Sequence, residues 1–400
     1  MSQPPISVAA LIAEANAEEH AARADRYFRG VDANHWSFRK PFAPLAHAGP
    51  ALMRLGAMFD AADLYPGLRV LDFGCGVAWL GRLLAEAGCS VVAADVSPSV
   101  LEAAAAHDAQ HHPGLAGRLR YQTTDGTRID LPAGSIDRIL SHEALHHLAD
   151  PAPAIAEFRR LLAPGGRAVF MEPGPDHSLS ATSQAEMAVH GVIENDVHVE
   201  RIWEAAAQAG FHGIEIGLFG LRPEMLPLDR FLALWRHELR GGPAPEPPAA
   251  ATYRDLALPV LQGFRMFVLH ADAAREAPAD SLVAQGLSVS IEVAGVQRQG
   301  EQVSLDLVLR NTGTRAWRPS GTARGAVNLG AILLEPDGSV RNRNNRRHAC
   351  VTERLPPGVA IETRFTLPVP PGAGLSLDMV AEHVCWFGQP GVGLEVALPG

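Results

Sequence analysis

The sequence predicts an α/β fold, a doubly wound seven-stranded sheet, followed by an all-β domain of immunoglobulin-like sandwich type. Three observations lead to it. Val70-Leu71-Asp72-Phe73 runs into Gly74-Cys75-Gly76, after which Leu80, Leu83, Leu84 and Ala87 recur at helical spacing until Gly88 stops the run; that is a strand, a tight glycine turn and a helix. Further strand and helix patterns alternate with it to about residue 270, as βα units of an open sheet do. From about residue 285 helical spacing disappears, and short apolar runs are separated by turn residues.

The elements follow in order. Residues 7–28 read as one amphipathic helix with Val8, Leu11, Ile12 and Ala15 on one face. Residues 35–42 interleave aromatic and basic side chains, a loop that either packs as a cover or closes as a lid, and a second helix spans about 44–62. After the glycine turn, residues 90–94 form a strand ending in Asp95, and Ser97-Pro98 caps a helix to about His107. A third strand, 118–122, precedes Thr123-Thr124-Asp125-Gly126, and a fourth, 136–140, runs into Ser141-His142-Glu143-Ala144-Leu145-His146-His147. The helix through Ile155, Phe158, Leu161 and Leu162 ends at Pro164-Gly165-Gly166, and strand 167–171 closes at Glu172. Residues 174–200 are rich in polar groups, a solvated helix–loop or an acceptor-binding insertion. A helix at 199–209 and strands at 214–218 and 264–269 complete the sheet, with apolar helical segments inserted at 222–262. The domain division is therefore 1–65, a helical cover; 66–275, the sheet domain with its insertion at 222–262; and 285–400, the β-domain.

Composition narrows the function. Lys and Arg number 34 against 44 Asp and Glu, a net charge of −10, which speaks against a general nucleic-acid binder. No apolar run has the roughly 18 residues of a membrane span. Residues 1–6 lack the basic-then-apolar pattern of a secretion signal. Cys75, Cys89, Cys350 and Cys385 show no metal-ligand spacing, and a reduced, cytoplasmic protein is the expectation.

The glycine turn lets a ligand approach the backbone and meet helix N–H groups. Asp95 at the end of the second strand can accept both hydroxyls of a ribose. The dinucleotide fingerprint is not met, because its third glycine falls on Trp79, and Asp72 before the first glycine would repel a pyrophosphate. A cationic sulfonium with an amino-acid tail has no such conflict. Asp72-Phe73-Gly74-Cys75-Gly76-Val77-Ala78 with Asp95 resembles class I S-adenosylmethionine-dependent methyltransferases over roughly residues 60–220, and Leu162-x-Pro164-Gly165-Gly166 is a further feature shared with them. The resemblance implies a Rossmann-like sheet holding S-adenosylmethionine through Asp72, Gly74 and Gly76 at its tail, Asp95 at the ribose and Asp125 at adenine, with Val96, Gly126 and Ser141 also cofactor-binding.

His142-Glu143-x-x-His146 has the spelling of a zinc-protease helix, but it starts directly after a strand and is broken by Asp150-Pro151. The same residues resemble the Glu-x-Leu-His-His loop of small-molecule and sugar O-methyltransferases. That resemblance makes His146 or His147 the base for an acceptor hydroxyl and Glu172 the residue that orients either the imidazole or the acceptor, with no metal. Alternation of Glu194, Asp196 and His198 is the one weak metal pattern.

In the C-terminal part, strands are expected at 287–293, 303–309, 327–334, 361–367, 375–384 and 394–398, and Arg341 to His348 reads as a solvated basic loop. Asn311-Thr312-Gly313…Trp317 and Leu355-Pro356-Pro357-Gly358 resemble sandwich domains on bacterial surface-polysaccharide enzymes. The implied function is O-methylation of a sugar hydroxyl on a glycan or glycolipid, in association with polysaccharide-assembly enzymes. A small natural product or lipid-like metabolite is the alternative acceptor, and a non-catalytic glycan-binding protein is the alternative class.

Overall fold

A computed structural model describes residues 4–31, 35–217, 228–229, 232, 264–272, 280–388 and 393–398, with side chains at 264 and 341–345 also outside the description. The insertion expected at 222–262 lies outside the described residues apart from 228, 229 and 232, and the join is described only from residue 280. The chain divides into two compact units near residue 273, the short stretches Tyr65–Leu68 and Ala87–Cys89 grouping with the second. No helix among the described residues is long and apolar enough to cross a membrane.

The first unit opens with α1 (Val8–Ala13) and α2 (Ala17–Phe28), where one helix was expected. The break has a local cause: Asn16 caps α2 through the Glu19 N–H while the Glu19 carboxylate accepts from the Asn16 N–H, a reciprocal box that starts a new helix. Residues 36–39 form a 3₁₀ turn whose Phe38 is buried and stacked on His107 at 4.2 Å. α3 (Leu45–Ala62) then leads to the sheet.

Five parallel strands, β1 (Arg69–Phe73), β2 (Ser90–Asp95), β3 (Leu119–Thr123), β4 (Ile136–His142) and β5 (Leu162–Pro173), alternate with α4 (Trp79–Glu86), α5 (Pro98–His111) and α6 (Ala152–Leu161). After α7 (Ala181–His190) and α8 (Val199–Gln208) come β6 (Gly213–Gly217) and β7 (Phe264–His270). The order is β3-β2-β1-β4-β5-β7-β6, with β7 antiparallel between β5 and β6: the Rossmann-like, mixed seven-stranded sheet. Leu71, Phe73, Ile139, Phe158, Phe170 and Phe267 share one core cluster. Two boundaries move. α5 continues to His111, and β5 starts at Leu162, whose pairing with Ile136 carries the Pro-Gly-Gly segment into the strand across a register irregularity.

Strand order reverses between β1 and β4, the place where open α/β sheets bind ligands beyond their carboxyl ends. The two loops leaving these strands approach closely. At Gly74, with φ +66°, an added Cβ would lie 2.2 Å from the Ala144 Cβ.

The second unit holds β8 (Val289–Gln299), β9 (Gln302–Asn311), β10 (Val327–Leu334), β11 (Val340–His348), β12 (Ala360–Pro368), β13 (Gly374–Ala381), β14 (Cys385–Trp386) and β15 (Leu394–Glu395). One antiparallel sheet runs β12-β9-β8, and the other runs β11-β10-β13-β14 with β15 also on β13. Leu305, Leu307 and Leu309 of β9, Leu329 of β10, Phe365 of β12, Met379 of β13 and the fully buried Trp317 belong to one apolar cluster. The basic run expected as a solvated loop is instead β11, paired with β10 at the end of its sheet among the described residues.

Gly74→Ala combines a disfavoured left-handed backbone with a steric clash, so it should lower stability by about 2 kcal/mol or more. Thermal unfolding checks this, and Ala144→Gly in the same chain should recover part of the loss.

Candidate active site

The alternation of β1 sends Leu71 and Phe73 into the core cluster and Asp72 to the opposite face. There Asp72, only 2% exposed, accepts from the Gly81 N–H of α4 at 2.8 Å. A Cβ at residue 81 would sit 3.0 Å from that oxygen, so Gly81, in the first turn of α4, is part of the arrangement although it gave no signal in the sequence. Burial pushes the Asp72 carboxyl up to about 7.

Asp95 ties the end of β2 to the glycine turn. It accepts from the Gly76 N–H at 2.8 Å and from the Ser97 N–H at 3.0 Å. The turn is fastened to the same strand end by the Gly74 and Cys75 N–H groups, both bonded to the Ala94 carbonyl. Burial raises the Asp95 carboxyl, against the pull of its backbone donors. α2 reaches this point as well: Asp25 accepts from the Ser97 hydroxyl and the Ser99 N–H at 2.8 and 3.1 Å. Val96 and Gly126 face one another, since a Cβ on Gly126 would lie 3.5 Å from the Val96 side chain. Asp125 is exposed, and its Oδ1 closes a local turn on Thr127 and Arg128.

The second half of the site is built on Glu172 at the end of β5, fully buried. Its Oε1 accepts from the Ser141 hydroxyl and the N–H groups of Ala144 and Leu145 at 3.3, 3.1 and 2.9 Å. Its Oε2 accepts from the His146 N–H at 3.4 Å and pairs with His146 Nδ1 at 2.8 Å. The loop after β4 is thereby folded around one carboxylate, with Glu143 at φ +55° and His146-His147 on a short 3₁₀ turn. That geometry does not present His142 and His146 from one α-helix, as the zinc-protease arrangement requires. Burial moves both partners of the pair toward neutrality: Glu172 rises to about 7 and His146 falls well below its ordinary value. His147 is more exposed, and its Nδ1 bonds to the Ile193 carbonyl at 2.7 Å.

Residues 174–198 are not a solvated loop. Ser178, Ser183 and Glu194 are buried; Asp196 accepts from the Ser178 N–H and hydroxyl, and Glu194 pairs with His177 at 2.7 Å. Glu194 joins His146 and His147, whereas Asp196 turns to Ser178, so the triplet Glu194, Asp196 and His198 does not converge through its first two members. His177 was missed in the sequence as a partner because Glu194 is 17 residues away from it.

Residues 71–170 match the family model described as a methyltransferase domain. The chain is 33% identical over 141 residues to a methyltransferase of Streptomyces halstedii, GfsG, covering 34% of this chain and 48% of that protein. It is 30% identical over 194 residues to a ubiquinone biosynthesis O-methyltransferase of Pseudomonas aeruginosa, covering 48% of this chain and 80% of that one. The chain belongs to the S-adenosylmethionine-dependent methyltransferases. It spans about half the length of the Streptomyces relative. A solved S-adenosylmethionine-dependent methyltransferase from Mesorhizobium loti shares 23% identity at a TM-score of 0.39, covering 55% of this chain and 97% of that structure.

The site of this methyltransferase fits its cofactor, S-adenosylmethionine. Among the described residues no Lys or Arg pairs with the buried acids Asp72 and Asp95, the neighbouring Arg82 being bonded to Asp108. A positively charged ligand with ribose hydroxyls supplies the partners such acids lack.

Binding of this cation beside Asp72 is expected to release a proton, because it favours the ionised carboxyl. Affinity should therefore rise from about pH 6 to about pH 8, and Asp72→Asn should flatten the dependence. Calorimetry in buffers of different ionisation enthalpy measures the proton count directly. Asp95→Ala should weaken binding about ten-fold or more, through loss of hydrogen bonds to a charged group.

Proposed function

We propose that the protein is an O-methyltransferase whose acceptor is a hydroxyl group and whose base is His146, oriented by Glu172. The observation that supports this most is the buried Glu172–His146 pair at the carboxyl ends of β4 and β5, beside the loop that touches the glycine turn. S-adenosylmethionine supplies an electrophilic methyl group when bound. An alcohol oxygen attacking it must lose its proton as the bond forms. Glu172 accepts Nδ1–H, so the lone pair of the neutral ring lies on Nε2. Burial keeps His146 unprotonated near neutral pH, ready to receive a proton. Asp72, Gly74, Gly76, Asp95, Val96, Asp125, Gly126 and Ser141 form the cofactor side in this reading. The relatives named as O-methyltransferases support hydroxyl as the acceptor group.

For the acceptor itself we favour a small hydroxyl-bearing molecule. A glycan or glycolipid is the second reading, supported by one feature of the β-unit: Trp386 lies over Gly330 of β10, and Arg347 of the edge strand stacks on it at 4.7 Å. The Arg347 guanidinium, stacked on the indole and bonded through Nε to Glu382, has further N–H donors for sugar hydroxyls. In that reading residues 285–400 act as a recognition domain of immunoglobulin-like form, and residues 1–65 cover the site.

His146→Asn is expected to lower the maximal rate by about 10²–10⁴ while S-adenosylmethionine affinity stays within about two-fold. Turnover is measured by mass spectrometry on a panel of phenols, polyketide alcohols, monosaccharides and oligosaccharides, which also decides between the two acceptor readings. Product formed only on non-hydroxyl acceptors, or undiminished in His146→Asn, would refute the assignment. Activity should survive EDTA.

A further inference from the structure

We infer that Glu194 is a second functional carboxylate of this site, a positioning residue that faces Nε2 of His146 and stabilises the imidazolium formed when the acceptor gives up its proton, with His177 holding it in place. The inference rests on the O-methyltransferase reading above.

Glu194 lies between α7 and α8 and is 6% exposed. Its Oε2 is 2.7 Å from His177 Nε2 and 3.9 Å from His146 Nε2, and its Oε1 is 3.5 Å from His147 Nδ1. The segment that carries it is bound to the histidine loop at several points. The Asn195 N–H donates to the His146 carbonyl at 3.0 Å, the Asn195 side-chain amide donates to the Leu148 carbonyl at 2.7 Å, and His147 bonds to the Ile193 carbonyl. The placement of this acid is thus built in from both sides.

His146 is consequently bracketed by two buried carboxylates, Glu172 on Nδ1 and Glu194 toward Nε2. The other titratable groups facing it are Glu143 and His147 from its own loop and His177 from the turn after β5. A neutral imidazole has one N–H, which Glu172 accepts. The 3.9 Å separation on the other side is too long for a hydrogen bond, so Nε2 stays available to an acceptor hydroxyl. In the transfer, the acceptor O–H bond breaks toward Nε2, its oxygen forms the new O–C bond, and the pair of the broken C–S bond stays on sulfur. Positive charge thereby moves from sulfonium to His146, where both carboxylates meet it. A buried cation flanked by two acids is stabilised far more than one facing a single acid.

The test uses the full chain with ¹⁵N-labelled histidine and needs no acceptor. Imidazole ¹⁵N shifts report tautomer and protonation of His146 in wild type, Glu194→Gln and Glu194→Asp. At the pH where wild-type His146 is half protonated, Glu194→Gln should leave it essentially neutral, a displacement of about one pH unit. The Nδ1–H tautomer should persist, S-adenosylmethionine affinity should stay within about two-fold, and Glu194→Asp should restore most of the titration. An unchanged His146 titration in Glu194→Gln would overturn the inference and leave the base assignment standing. Full turnover by His146→Asn would overturn both. Stoichiometric uptake of added zinc chloride by the wild type but not by Glu194→Gln would also overturn it, making His146, His147 and Glu194 metal ligands instead.

Discussion

A carboxylate with no exposure to water and no Lys or Arg partner among the described residues organises this site. Glu172 would be costly to bury alone, and the fold satisfies it with donors drawn from a single loop, Ser141 to His146. Hydrogen bonds to a charged acceptor contribute roughly 1.5–3 kcal/mol each, enough together to hold Glu143 in a left-handed conformation that costs about 1–3 kcal/mol. The same bonds that satisfy the acid therefore set the path of the loop and the orientation of the imidazole.

The carboxyl end of β2 works on a similar basis. Asp95 accepts from Gly76 and Ser97, joining the glycine turn to the start of α5, and Asp25 of α2 accepts from the neighbouring Ser97 hydroxyl and Ser99 amide. α2 continues to the other half of the site, where Arg23 donates to the Gly191 carbonyl and Tyr27 packs edge-on against His190. One N-terminal helix thus bridges the start of α5 and the end of α7. Asp72 and Asp95 remain acids in low-dielectric surroundings, raised by burial. Such a site is electrostatically incomplete until a cation enters, which favours a sulfonium compound over its neutral product.

In the β-unit, the apolar cluster draws on alternate positions of β9 and β13, and Asn311 has no exposure yet is satisfied by the Arg315 and Leu355 carbonyls. Among the described residues β11, which carries the basic sequence, pairs with β10 alone. A charge run carries no periodicity of its own, and in isolation it looks the same in a loop and on an edge.

What the sequence by itself determined is local. The strand–glycine–helix pattern at 70–88, Asp95 at the close of a strand, the histidine pair and the change of texture near 285 were all legible, because each is expressed in side-chain spacing over a few residues. So was the family, through a motif of contiguous residues matched by the methyltransferase-domain model. The tertiary structure decided what depends on residues distant along the chain. It selected His146 over His147 as the partner of Glu172, 26 positions away, brought Glu194 to His177 across 17, and placed Gly81 against Asp72 on a face no sequence period marks. It also split the first helix at a reciprocal cap and turned a basic stretch into a strand. The physical reason is common to these cases. A buried acid takes its donors from whatever the sheet brings within hydrogen-bonding distance, and that distance is set by strand order and loop approach rather than by sequence.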